Sequence, residues 1–456
     1  MTATQAGNVS GYAALDGLGK FLEKTGHTLL IKGYAGAGKT TLALQLLERL
    51  AGDRGVYISS RVSPDKLRRQ IPWVAEALQG AKMVDVRVGL ASSVFEEVVR
   101  AVTELRAPAV VLDTWDGLAK EMDEKERLKA EKTLVALADG SETRVIFVSE
   151  EPGKTTMDYL VDGIVELVRS EEYGRVFREI EVQKLRGTLI DQHKYLYTLH
   201  GGSFTHFGPY QEPDYSRLIP PAPSSDPESG YSFGAEPLDR SFGLLEHGTT
   251  VALEYTPKVP YSALRALFLP LITNFLVHGR GVVHLPLPGA SPQLLVRVVS
   301  ACAGRDAVMR LYRLAVAGLV GATDPPFFGF DIDQVKPASA ATSAQVEAVR
   351  RASADGHVLV VDSIGLLENM YSTELNELLK ALAARSSTVQ RDGDLAVFLL
   401  PSDSGIKSQI LSMAGVHIRV ISKDRSLVVM GEKPETGAFV LAYGDNPLFP
   451  VLEVIV

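Results

Sequence analysis

Short apolar runs alternate with longer stretches of helical spacing through the first half of the chain. Thr28-Leu-Leu-Ile31 is one such run; glycines follow it, then a helical pattern from Thr40 to Leu50. Gly55-Val-Tyr-Ile58, Ala109–Leu112 and Val145–Val148 are runs of the same buried-strand type. Between them, Ser63-Pro64-Asp65 predicts a helix start. Serine accepts from the free amides, proline is tolerated in the first turn, and aspartate suits the positive end of the dipole. Ser92 or Ser93 is placed to cap another helix, whose apolar positions Phe95, Val98, Val99, Val102 and Leu105 repeat at helical spacing. Apolar strands interleaved with helices predict a parallel sheet covered on both faces. From Phe177 to Phe207 the pattern predicts antiparallel strands at Arg178–Lys184, Lys194–Leu199 and Ser203–Phe207, with Gly201-Gly202 as a hairpin turn.

The same order returns in the second half. Thr250–Glu254 precedes a loop and a helix through Val277, and Gly281–His284, His357–Val361 and Leu395–Leu400 parallel the later strands. Met413–Val420 echoes Leu160–Leu167, which points to a tandem duplication of one α/β unit. Between the halves, residues 208–230 hold six of the chain's 24 prolines. Proline fixes φ and removes backbone donors, so this stretch reads as a linker. The expected domains are 1–207, the linker 208–230, and 231–456. The most apolar long stretch, Ala263–Val277, carries Arg265, Pro270 and Asn274 and is shorter than the ~20 residues of a membrane span. It predicts a buried amphipathic helix.

Two domains also suit 456 residues, since one core rarely grows past ~250–300. Lys+Arg is 47 and Asp+Glu 55, a net charge of −8 that argues against a surface built to coat nucleic acid. One cysteine, Cys302, excludes a disulfide framework and fits a reducing, cytoplasmic location. Met1–Ser10 is polar and lacks the pattern of a secretory leader.

The chemistry concentrates in one loop. Gly33-Tyr34-Ala35-Gly36-Ala37-Gly38-Lys39-Thr40-Thr41 contains G-x-x-x-x-G-K-[ST] between an apolar strand and a helix. Its glycines let successive N–H groups face an anion, and the helix adds the positive end of its dipole. Lys39 is placed to reach β- and γ-phosphates, and the Thr40 hydroxyl to ligate Mg²⁺. Asp113, ending the strand from Ala109, is the second Mg²⁺-side group. Aligning Ile31 with Leu253 gives an offset of 253 − 31 = 222 and puts Tyr261 and Ser262 where Lys39 and Thr40 stand. That second loop has no glycine and two prolines, Pro257 and Pro260, so the second domain is expected to have lost its nucleotide site, with Asp362 left without a metal.

These residues resemble the KaiC branch of the RecA-like ATPases across nearly the whole chain. The resemblance implies two tandem RecA-like three-layer α/β domains with mostly parallel sheets, the second degenerate. Lys184-Leu185-Arg186-Gly187-Thr188 matches a family stretch whose Lys and Arg reach the ATP of a neighbouring subunit. Carried over, Lys184 and Arg186 act in trans, and a homo-oligomer through the first domain, six-membered as in the family, is implied. Tyr57–Asp65 with Arg68-Arg69-Gln70-Ile71-Pro72-Trp73 is similar to the archaeal gas-vesicle regulators of the GvpD type. That similarity implies an ATP-dependent regulator acting on a protein partner. Lys66, Arg68 and Arg69 form a basic patch that reads as a solvated helix face ahead of a partner or nucleic-acid contact. The family places paired glutamates after the second strand; here Arg61 and Val62 stand there. Neither accepts a proton from water, so hydrolysis is expected to be slow, with Glu150 ahead of Asp116 as replacement base and Arg61 free to pair with the γ-phosphate. The competing readings are a DNA-handling relative of the superfamily and a scaffold that binds ATP without cleaving it. His193, His200 and His206 read as ordinary histidines, Cys302 as a small apolar residue, and Trp115 as core or as lining of the nucleotide site.

Overall fold

The computed structural model describes residues 16–456 apart from 88–90, 121, 152, 216–218, 220–223, 319–323, 445 and 447–448. Met1–Ser10 and the side chains of Ser92 and Ser93, which the sequence marks as a polar start and a cap, lie outside the described residues. Residues up to Pro209, with Ile455–Val456, form one compact unit, and Tyr210–Val454 form a second.

Among the described residues the first unit carries nine strands: β1 (Thr28–Gly33), β2 (Val56–Ser59), β3 (Lys82–Asp85), β4 (Ala109–Asp113), β5 (Arg144–Ser149), β6 (Gly163–Glu172), β7 (Arg175–Leu185), β8 (Lys194–Thr198) and β9 (Thr205–His206). They form one sheet in the order β3-β2-β4-β5-β1-β6-β7-β8-β9. From β3 to β6 all neighbours are parallel; β6 to β9 are antiparallel. The central strands β1, β4 and β5 are buried almost throughout, as continuous apolar runs in a sheet covered on both faces should be. Two apolar clusters fill the spaces on the two faces, one around Leu42, Leu46 and Tyr57, the other around Val98, Trp115 and Phe147. Ser63 caps the helix Pro64–Gln70 as expected, its hydroxyl accepting from the Lys66 amide at 3.3 Å. The edge strand β3 is short and half-exposed, and the apolar pattern gives no sign of it.

The second unit begins with a small antiparallel pair, β10 (Gly230–Tyr231) and β11 (Leu245–Glu246). Its main strands are β12 (Thr250–Tyr255), β13 (Gly281–His284), β14 (Tyr312–Ala317), β15 (Phe327–Phe330), β16 (Val358–Ser363), β17 (Leu395–Pro401), β18 (Val416–Lys423), β19 (Ser426–Lys433), β20 (Glu435–Tyr443) and β21 (Pro450–Val454). Their order is β15-β14-β13-β16-β17-β12-β18-β19-β20-β21. The run β14-β13-β16-β17-β12-β18-β19-β20 repeats the first unit's β3-β2-β4-β5-β1-β6-β7-β8 strand for strand. Each unit is thus a three-layer α/β fold with a mostly parallel sheet, as the sequence led us to expect. The offset of 222 carries the bounds of β1 onto those of β12.

The helix Tyr261–Val277 departs from expectation. It is not amphipathic: every residue from Ser262 to Leu276 is buried. The chain entering the unit covers its outer face. Gly234, at φ +80, passes so close that a Cβ there would lie 2.2 Å from the Pro270 carbonyl oxygen. Of the proline-rich stretch, Tyr210 donates to the Ser262 hydroxyl at 3.1 Å and the Tyr215 ring lies 4.6 Å from the Arg265 guanidinium. No helix among the described residues is long and apolar enough to cross a membrane.

Candidate functional site

The loop between β1 and the helix Lys39–Ala51 is held from several sides. Gly38 sits at the helix N-cap in the left-handed region, φ +93, where a Cβ would come within 2.6 Å of the Leu199 side chain. Both backbone freedom and close approach therefore require glycine. The buried Tyr197 hydroxyl donates to the Ala37 carbonyl at 2.6 Å. Arg178, from β7, donates to the Tyr34 hydroxyl at 3.0 Å and to the Gly36 carbonyl at 3.2 Å. The Lys39 ammonium, only 5% exposed, donates to the carbonyls of Gly33 and Tyr34, both at 2.8 Å, and lies 3.5 Å from Glu150. Burial pulls its pKa below the ordinary lysine value, with the Glu150 and Asp113 carboxylates opposing.

Asp113 ends β4 beside the loop. Its Oδ2 accepts from the Thr40 hydroxyl and from the Tyr57 hydroxyl, each at 2.6 Å. Burial pushes the carboxyl up from its usual range, and the two hydroxyl donors oppose that shift. Burial and the neighbouring Asp113 push the Tyr57 hydroxyl well up, so it stays a donor. The first unit thus offers a hydroxyl and a carboxylate side by side, hard oxygen donors of the kind Mg²⁺ takes.

Gly36, Gly38, Lys39, Thr40, Thr41, Ser59, Arg61, Val62, Asp113, Thr114, Glu150 and Leu199 line one cleft of about 500 Å³. That is the size range of small-molecule sites. Glu150, just beyond β5, forms an ion pair with Arg61. Asp116 does not line this cleft. Its two oxygens accept from the Ser149 hydroxyl, at 2.9 Å, and from the Glu150 backbone N–H, so it fixes the start of the Glu150 turn. Trp115 is core: 3% exposed, it donates from Nε1 to Glu131 at 3.0 Å.

The remaining sequence candidates lie apart from the cleft. Lys184 donates to the carbonyls of Asp158 and Val161, at 3.0 and 2.6 Å, and Arg186 pairs with Asp162 at 2.7 Å. The Arg186 guanidinium remains more than half exposed. Among the described residues no three His, Cys, Asp or Glu side chains gather to hold a metal. His206 is buried, which pulls its pKa down to about 4, and half-buried Cys302 is pushed up to about 11. Tyr57, Arg178 and Tyr197 carry functional contacts that the sequence reading missed. Tyr57 reaches Asp113 because β2 pairs with β4, which sets Ser59 beside Asp113 across the parallel ladder.

The second unit is built differently at the matching positions. Its helix follows Pro260, and Tyr261 and Ser262 stand in place of lysine and threonine. The Ser262 hydroxyl donates to Glu212 at 3.1 Å, and Asp362, at the end of β16, is taken by Arg385. The void beside that ion pair measures about 30 Å³, room for a single water.

Residues 15–205 match the family model described as "ATPase: KaiC". Protein GvpD2 of Halobacterium salinarum is 27% identical over 453 aligned positions, covering 91% of this chain and 90% of that protein. Protein GvpD1 of the same organism is 28% identical, covering 60% of this chain and 56% of its own length. A KaiC-like protein of Pyrococcus horikoshii aligns with TM-score 0.36 at 21% identity, over 40% of this chain and 90% of that one. Residues 15–205 are thus similar to the KaiC-type ATPases, and the chain is similar to the GvpD proteins along most of its length.

Proposed function

We propose that the first unit binds Mg·ATP and hydrolyses it slowly, and that the bound nucleotide switches the chain's interaction with a protein partner in the cytoplasm. The observation that carries this reading is the Thr40–Asp113 contact of 2.6 Å at the mouth of a glycine loop that also presents Lys39. Loop amides and Lys39 would hold the phosphates, Thr40 and Asp113 the metal side. A metal held there would supply charge neutralisation to the phosphates. Glu150 accepts the proton of the water that attacks the γ-phosphorus, while the bond to the bridging oxygen breaks and leaves ADP and phosphate. The regulatory part of the reading rests on likeness to the GvpD proteins over 91% of the chain.

A phosphate cradle needs its amide donors, and the second unit has prolines at 257 and 260 in that loop. Calorimetry with Mg²⁺ and a non-hydrolysable ATP analogue should therefore give about one site per chain, by the same donor argument; two sites would refute the assignment of the second unit. Lys184 and Arg186 stand away from the cleft of their own chain, which suits a role toward a neighbouring subunit. Native mass measurement should then show ATP-dependent assembly, with a six-membered ring as the family-like form. A monomer under both conditions would end the trans role of these two residues.

A further inference from the structure

Arg61 and Glu150 face each other across the cleft from the ends of β2 and β5, 89 positions apart in the chain. Their backbones are anchored. The Ser59 hydroxyl donates to the Val62 carbonyl at 2.7 Å and accepts from the Val62 amide at 3.2 Å, which pins the turn that carries Arg61. Asp116 holds the Glu150 amide. The two side chains are freer, with Arg61 about half exposed and Glu150 about one-third exposed. The Glu150 carboxylate is shared between Arg61 and the Lys39 ammonium. Among the described residues, Glu150 is the ion-pair partner of Arg61, and no other carboxylate stands in to take that guanidinium.

Resting on the reading of this cleft as an ATP site, we infer that Arg61 senses the γ-phosphate and holds Glu150 out of service until a triphosphate is bound. In this arrangement each of the two carboxylate oxygens of Glu150 faces a cation, Oε1 toward Lys39 and Oε2 toward Arg61. Lys39 is committed to the phosphates by its place at the helix start. A terminal phosphate brings concentrated charge and three oxygens into reach of a planar guanidinium fork, which suits such oxygens better than a single carboxylate does. Arg61 then changes partner, both cations leave Glu150, and the carboxylate is released toward the water. A diphosphate lacks the terminal group, so the Arg61–Glu150 pair stays closed. The exchange requires only side-chain rotation, because both backbone anchors remain. Coupling base release to the presence of the γ-phosphate makes the triphosphate state structurally distinct from the diphosphate state at β2, the strand leading to the basic helix Pro64–Gln70.

The test is a binding measurement, with Mg²⁺ present, of a non-hydrolysable ATP analogue and of ADP. Wild type should prefer the triphosphate. Arg61→Ala should lose about tenfold of that preference, the scale of one charge-assisted contact, with ADP affinity unchanged. Glu150→Gln removes the competitor for Arg61 at constant volume and should bind the triphosphate several-fold tighter, by the same competition. An unaltered preference in Arg61→Ala, or no gain in Glu150→Gln, overturns the sensor. If wild type binds neither nucleotide, the ATP-site reading itself falls and the sensor with it. If Lys39→Ala loses both nucleotides while Arg61→Ala keeps the wild-type ratio, the site stands and only the sensor falls.

Discussion

Lys39→Ala lowers affinity for Mg·ATP about 100-fold or more, the expected result of removing two charge-assisted phosphate contacts. The size follows from where the ammonium sits. It is buried, drawn below its usual pKa by desolvation, and held by the Gly33 and Tyr34 carbonyls beside Glu150, a carboxylate it shares with Arg61. A cation kept in that state is compensated fully only when an anion enters, so its loss falls on the bound complex more than on the empty protein. The loop keeps its other supports, the Tyr197 hydroxyl on Ala37 and Arg178 on Gly36, so the fold should survive. Thermal melting without nucleotide should shift by only a few degrees, the scale of ~1 kcal/mol in a protein of this size. Titration of a labelled ATP analogue into wild type and variant decides the matter. Equal binding would remove Lys39, and with it the cleft, from the proposed function.

The parts of the site legible in the sequence are those whose logic is local. Glycine spacing, the strand before it and the helix after it lie within about twenty residues, and the structure builds them as read. Asp113 was legible because a carboxylate ending a buried strand has few other roles beside such a loop. The contacts that finish the site come from far along the chain. Tyr57 reaches Asp113 across 56 positions, Arg178 reaches Gly36 across 142, and Tyr197 reaches Ala37 across 160. Their partners are set by sheet order, which places β7 and β8 beyond β6 and next to the loop; no periodicity carries that information. Asp116 shows the converse. Its position in sequence fitted a base, but hydrogen bonds to both its oxygens spend it on holding the Glu150 turn. The second-unit helix failed for a related reason. Its run of apolar residues signals burial, but whether one face or both are covered depends on the chain passing over it at Gly234.

Glu150→Gln should slow single-turnover hydrolysis by about 10²–10⁴-fold, the usual contribution of a positioned general base, while leaving the nucleotide bound. Glutamine fills the same volume and accepts hydrogen bonds at its carbonyl, but it does not take a proton from water at neutral pH. The choice of Glu150 rests on placement. It shares the cleft with Lys39, Thr40 and Asp113, whereas Asp116 does not line it, and Arg61 and Val62 offer no proton acceptor. Wild type itself should be slow, because Arg61 and Val62 stand where the resemblance implies paired glutamates and Glu150 serves as a replacement base. Arg61→Glu supplies the complementary result. It removes the clamp and puts a carboxylate where the family resemblance implies one, so single-turnover hydrolysis at saturating Mg·ATP should rise. A rapid quench experiment reads all three proteins in the same way. If wild type is fast and Glu150→Gln matches it, the base is elsewhere and the replacement at Glu150 is wrong. If Glu150→Gln is slow and Arg61→Glu is fast, the cleft has kept a working base but placed it behind an ion pair, which is what a switch needs and a motor does not.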